Sequence, residues 1–177
     1  MALAASVPSA VHEHRPMRQY KQTDVFLATE VPPIYQRDYV IALVLNEARE
    51  ALVRERQKPE GGACWQMLEQ FLQLHEDPFT AVQQALLTQT GRQTEQWAYL
   101  GSHVVDTSQP VGVGYFFCAQ KTHEIMVVPQ EQQTPKGELL CPKWVSLTDL
   151  RYALLDGRLA ITRHALTVSL SLLTILK

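Results

Sequence analysis

Charge is sparse in this sequence. Asp, Glu, Lys and Arg make up 19% of 177 residues, and the formal net charge is −2. No long basic run occurs, which argues against nucleic acid as a partner, because gripping a phosphate backbone takes clustered cations. A small anionic ligand stays open, since a pocket needs only local positive charge. Cysteine is scarce and odd in number, with Cys64, Cys118 and Cys141 far apart. Neither a disulfide framework nor a paired-cysteine metal clip is indicated, and buried or half-buried free thiols are expected. The start, MALAASVPSAVHEHRP, lacks the early positive charge of a secretory signal and carries prolines in its apolar part. The tail ALTVSLSLLTIL runs for 12 residues before Lys177, short of the roughly 20 that span a bilayer. It reads as a buried helix, and a cytoplasmic protein without a membrane partner is the expectation. Also missing are a P-loop, a GxGxxG turn, a Ser-His-Asp spacing and any internal repeat.

What is present suffices for one domain with a full core, at 46% hydrophobic residues. Residues 1–22 mix Ala, Ser, Pro, His and Arg without a period and read as a flexible arm. His12 and His14 have no further ligands nearby in sequence, so a solvated arm is expected there. Residues 23–177 read as the folded domain. VFLATEV is a short strand closed by Pro32 and Pro33. YVIALVLN is apolar on both faces and suits a central strand. NEAR turns, and EALVRER returns, giving a hairpin over 39–57. Along its second strand Leu52, Arg54, Arg56 and Lys58 fall on one face, so three cations line up there. They make either an ordinary solvated face or a phosphate-facing edge.

After a PEGG break, ACWQML reads as a strand. HEDPFTAVQQALLTQTG reads as a helix: Asp77 caps it, Pro78 fits its first turn and Gly91 ends it. Phe79, Val82 and Leu86 give it one buried face. Strands QWAYLGSHVV and VGYFFCAQ follow, then a polar loop, VVPQEQQTPKGE, and a last strand, LLCPKWVSL. Two helices close the chain, LTDLRYALLDG, ended by Gly157, and ITRHALTVSLSLLTILK. Trp97, Tyr99 and Tyr115 are strand aromatics that either fill the core or stack on a base.

The stretch WQMLEQFLQLHEDPFTAVQQALLTQTG, residues 65–91, resembles the signature run of the Nudix family without a gap over 27 residues. That signature reads G-x5-E-x7-R-E-U-x-E-E-x-G-U, with U aliphatic. Trp65, Glu76-Asp77-Pro78, Ala81, Leu86 and Gly91 match the frame. LVRERQKP resembles a segment of the ADP-ribose-type members, and WVSLTDLRYALLDGRLAI resembles their closing segment. The likeness covers roughly residues 24–177. It implies an α+β fold, a Nudix-type α/β/α sandwich with a mixed β-sheet. It further implies a nucleoside-diphosphate-type ligand such as ADP-ribose, and a homodimer.

The departures sit where the chemistry would be. Family members hold Mg²⁺ against a diphosphate with helix carboxylates. Here the Arg position is Gln84, the first Glu position Ala85, and the Glu-Glu pair Thr88 and Gln89; the glycine pair before the loop is Glu69 and Gln70. Neutral oxygens offset the dehydration of a divalent ion poorly. The arginine went with its glutamates, as expected if an unpaired, partly buried cation is costly. Of the acids, Glu76 remains, and Glu131 and Glu138 lie in the later loop. Three readings follow. One is a Nudix-fold binder of a nucleotide or nucleotide-sugar, with little or no catalysis, no metal, and Arg54, Arg56 and Lys58 as ligand-binding residues. The second is an active phosphohydrolase, using Mg²⁺, with relocated carboxylates at Glu76, Glu131 and Glu138. The third is an interaction domain without a small ligand.

Overall fold

A computed structural model describes residues 37–57, 61–104, 112–127, 132–133 and 139–175. The arm, the VFLATEV segment, Lys58, Glu131 and Glu138 lie outside the described residues.

The centre of the fold is β1, Tyr39–Asn46, buried along both faces. Its continuous run of Val, Ile, Leu and Ala suits a strand covered on both sides. One edge of β1 pairs in parallel with β7, Val113–Glu124. The other edge is shared. Its C-terminal end meets β2, Ala51–Gln57, in the expected hairpin, and its N-terminal end meets β4, Leu68–Phe71, antiparallel. The expected ACWQML strand is thus two strands. β3, Ala63–Gln66, pairs with β2, and the chain breaks at Met67 before β4 pairs with β1. A single straight strand cannot follow both partners as they splay.

Beyond these, β9, Leu139–Val145, lies against β2, and β6, Gln96–Val104, runs antiparallel to β7. Two-residue strands β5, Arg92–Gln93, and β8, Gln132–Gln133, extend the sheet. β8 falls inside the segment expected to be loop throughout. β2 pairs with β1, β3 and β9, so Arg54 and Arg56 stand on an internal strand.

Among the described residues, three helices cover the mixed sheet. α1, Pro78–Thr90, packs Ala81, Val82, Ala85 and Leu86 on Val40, Ala42, Val44 and Phe117. On the opposite face α2, Leu147–Ala153, and α3, Thr162–Thr174, bury Leu150, Ala153 and Val168 against Ile41, Leu43 and Phe116. The architecture is the α/β/α sandwich expected. α2 ends at Ala153, four residues before Gly157, because the chain turns there to return Arg158 to β3, whose Trp65 N–H donates to the Arg158 carbonyl at 2.7 Å.

α1 has its expected bounds. The Asp77 carboxylate accepts from both the N–H and the hydroxyl of Thr80, at 2.8 Å each, and Gly91 closes the helix at φ 68°. One residue of the expected buried face is misplaced: Phe79 is 42% exposed. It sits in the first turn, where its ring leans on Trp97 and Phe117 rather than entering the core. Ala81 and Ala85 fill the core-facing positions instead.

Candidate functional site

The box positions gather where α1 faces β2 and β4. Ala85, at the first glutamate position, is fully buried against the sheet. Gln84 is exposed, and its carbonyl accepts the Thr88 hydroxyl at 2.8 Å. That hydroxyl therefore serves its own helix backbone. Gln89 points inward. Its Oε1 accepts from Arg54 Nη2 at 2.5 Å, and its Nε2 donates to the Glu69 carbonyl at 3.2 Å. One neutral amide thus ties a cation on β2 to the backbone of β4.

Arg54 reaches Gln89 because β2 alternates. Val53 points to the α3 side, and Leu52, Arg54 and Arg56 to the α1 side. Burial pulls the Arg54 guanidinium below its usual range, and the charge of Glu69 only partly restores it. Arg56, half-buried, follows on the same face opposite Cys64. The structure therefore brings Arg54 to the box position Gln89. Neither Arg54 nor Arg56 makes the solvated strand face considered from sequence.

Beneath this junction lies a second polar group that the pattern reading missed. The Glu69 side chain faces α3, where Arg163 Nε lies 2.7 Å from Oε1 and His164 Nε2 lies 3.2 Å from Oε2. His164 is 1% exposed, and its Nδ1 accepts the Met67 N–H at 2.9 Å. An accepting Nδ1 places the ring proton on Nε2, which donates to Glu69. Burial opposes ionisation of Glu69, but the hydrogen bond from His164 and the charge of Arg163 outweigh it, so the carboxyl titrates below its ordinary value. From sequence Glu69 registered only as a lost glycine. The available signal was in α3, where His164, Thr167, Val168 and Ser171 keep a buried-face spacing with three polar members.

Glu76 serves its own loop. Its carboxylate accepts the Gln73 N–H at 2.7 Å, in a turn where His75 takes φ 62°. Trp97 and Tyr115 are half-buried and Tyr99 is 57% exposed, with Tyr99 and Trp97 both against Phe117 on the α1 side of the sheet. An open depression of about 350 Å³ lies elsewhere, between Asn46–Ala48 and the Arg92, Thr122–Glu124 ladder. Arg92 there is committed to Thr122 and to the Trp144 ring, so the depression does not join the box.

The fit of these residues to Mg²⁺ is poor. Such an ion takes carboxylate, water and phosphate oxygens, and the box offers an alanine methyl, a hydroxyl turned to its own helix and an amide oxygen held by a guanidinium. Among the described residues no group of three or more His, Cys, Asp or Glu side chains converges to hold a metal. Among them, too, no helix is long and apolar enough to cross a membrane.

The fold is that of the Nudix hydrolases. The structure matches a solved ADP compounds hydrolase with a TM-score of 0.60 at 12% identity, covering 76% of this chain and 70% of that one. It matches a NUDIX hydrolase from Nitrosomonas europaea with a TM-score of 0.54 at 13% identity, covering 76% and 86%. No protein-family model and no curated protein matches the sequence.

Proposed function

We propose that this protein binds a nucleoside-diphosphate-type ligand, of the ADP-ribose kind, on the α1 side of its sheet, with little or no hydrolysis. The observation that carries this reading is Arg54 hydrogen-bonded to Gln89, a cation brought to a box position where the signature has a carboxylate. The fold and the capped helix are kept, while four charged positions of the signature are Gln84, Ala85, Thr88 and Gln89. A structural neighbour described as an ADP compounds hydrolase supports the choice of ligand class. A planar guanidinium suits phosphate oxygens held in pairs. The reading includes Arg56 and Lys58 as further anion contacts and a homodimer as the assembly. It assigns no catalytic role to Glu76, whose carboxylate is spent on its own turn.

A thermal-shift screen with ADP, ADP-ribose and NAD tests it. At least one compound is expected to raise the melting temperature. Arg54→Ala with Arg56→Ala is expected to abolish the shift. Because Arg54 also ties β2 to α1, Arg56→Ala alone, expected to reduce the shift, guards against a simple loss of folding. Rapid cleavage of the compounds would favour the phosphohydrolase with relocated carboxylates. No shift with any of them would favour the interaction domain.

A further inference from the structure

We infer that Arg163, on the α3 side of the sheet, is a positioning residue for the ligand site: by pairing with Glu69 it neutralises a carboxylate that otherwise repels an anion bound on the α1 side. This rests on the binding reading above and names a residue that sets the strength of binding without touching the ligand.

Glu69 is where the two faces meet. Its backbone carbonyl accepts from Gln89 Nε2 at 3.2 Å, and the Oε1 of the same amide accepts from Arg54. Its side chain leaves β4 toward the opposite face, where Arg163 Nε stands 2.7 Å from Oε1 and His164 Nε2 stands 3.2 Å from Oε2. Through its backbone Glu69 is two hydrogen bonds from Arg54, and through its side chain it is ion-paired to α3. The carboxylate is electrostatically close to the ligand side. Its charge is felt at Arg54, where it opposes the effect of burial on the guanidinium. An anion beside Arg54 meets the same charge with the opposite sign. The Glu69 side chain is only 16% exposed, so solvent screens it little.

Arg163 supplies the compensating charge. Its guanidinium is held between the Glu69 carboxylate and the ring of Tyr39, with Cζ 5.6 Å from the ring centroid. The next residue, His164, accepts the Met67 N–H, which fixes the start of α3 against the β3–β4 break. With Nδ1 accepting, the His164 ring brings Glu69 a hydrogen bond and no charge. Neutralisation therefore falls to Arg163. An interior charge of one sign paired with the other is much less visible from a distance than either charge alone.

Calorimetry with ADP at about pH 8, above the unperturbed carboxyl and imidazole values, decides the matter. The whole chain is compared with Arg163→Met, Arg163→Lys, Glu69→Gln and the Arg163→Met, Glu69→Gln double variant. Arg163→Met is expected to weaken ADP about tenfold, the order of one charge acting at an effective dielectric of about 20. Arg163→Lys keeps the charge and should stay within about twofold of wild type. Glu69→Gln should strengthen ADP, a gain that damage to the fold does not produce. The double variant should return close to wild type. An unchanged affinity in Arg163→Met, a loss in Glu69→Gln, or a double variant as weak as Arg163→Met overturns the inference and leaves the binding reading standing. Should Arg163→Met fail to fold, Glu69→Gln decides alone: a gain supports the inference, and no change or a loss overturns it. No ADP binding by the wild type overturns the binding reading, and the inference with it.

Discussion

His164 shows how much can hang on one ring. It accepts from the backbone of Met67, at the break between β3 and β4, and donates to Glu69 on β4. His164→Ala would leave the Met67 N–H unpaired in the interior, at about 1–3 kcal/mol. Denaturant unfolding of the variant should show a loss in that range. Glu69 supplies a pH dependence whose sign is set by its lowered pKa. A carboxyl depressed in the folded state contributes stability that is complete above its unfolded value, about 4.3. That stability is lost as pH falls through the folded value. Wild-type stability should therefore decline below about pH 4, and Glu69→Gln should decline less over the same window. The thiols differ just as sharply. Burial pushes the Cys118 thiol up to about 12, against a weaker opposing hydrogen bond to Ser171, and Cys64 is also buried. Cys141 is exposed on β9, contrary to the expectation that all three would be at least half-buried. A thiol reagent should label Cys141 in the native protein and reach the others only on unfolding.

At the scale of the element, α1 explains why a signature frame outlasts its charges. The residues that build the helix are the Asp77 cap, Pro78, the alanines, Val82, Leu86 and Gly91, and each acts on folding through the backbone or the core. Of the signature's charged positions, Gln84 and Thr88 are exposed and stand outside the core, while Ala85 fills it. Gln89 points inward and ties β2 to β4. Gly91 is the least replaceable of the frame. Its φ of 68° is left-handed, and a Cβ there would overlap the carbonyl oxygen of Met126. That carbonyl belongs to the same tight approach in which Ile125 and Met126 donate to Gly91 O, at 2.9 and 3.1 Å. Gly91→Ala should cost more than the 1–2 kcal/mol typical of the left-handed region alone. Chemical denaturation measures it, with Thr90→Ala as a neighbouring control of ordinary backbone conformation.

The described residues pack into two cores on one sheet. Val40, Ala42 and Val44 face α1, while Ile41, Leu43 and Leu45 face α2 and α3. Period-two alternation in β1 therefore serves both layers at once. Val82 and Val168, one in each layer, share no cluster. Each Val→Ala change should cost roughly 2 kcal/mol, from lost burial and the remaining cavity. The double variant should equal the sum of the singles within about 0.5 kcal/mol, as expected for sites without shared partners. A larger discrepancy in equilibrium unfolding would mean that the sheet transmits strain between the layers.

The local chain decided much of this protein. Capping residues, turn glycines and apolar spacing act over a few residues, so α1, the β1–β2 hairpin and the closing helices could be read in order, with Phe79 and the end of α2 as local errors. The loss of charge at Gln84, Ala85, Thr88 and Gln89 was equally plain, because it needs no partner to be seen. What the chain could not say is who meets whom. That ACWQML divides at Met67 depends on two strands splaying from β1. That Arg54 lies under Gln89, 35 residues away, depends on a helix crossing a strand face. That Glu69 belongs to Arg163 and His164 depends on α3 folding back over β4 from the end of the chain. Hydrogen bonds and ion pairs at such separations follow from packing. Only the tertiary structure set Arg54 against Gln89 and Glu69 against His164.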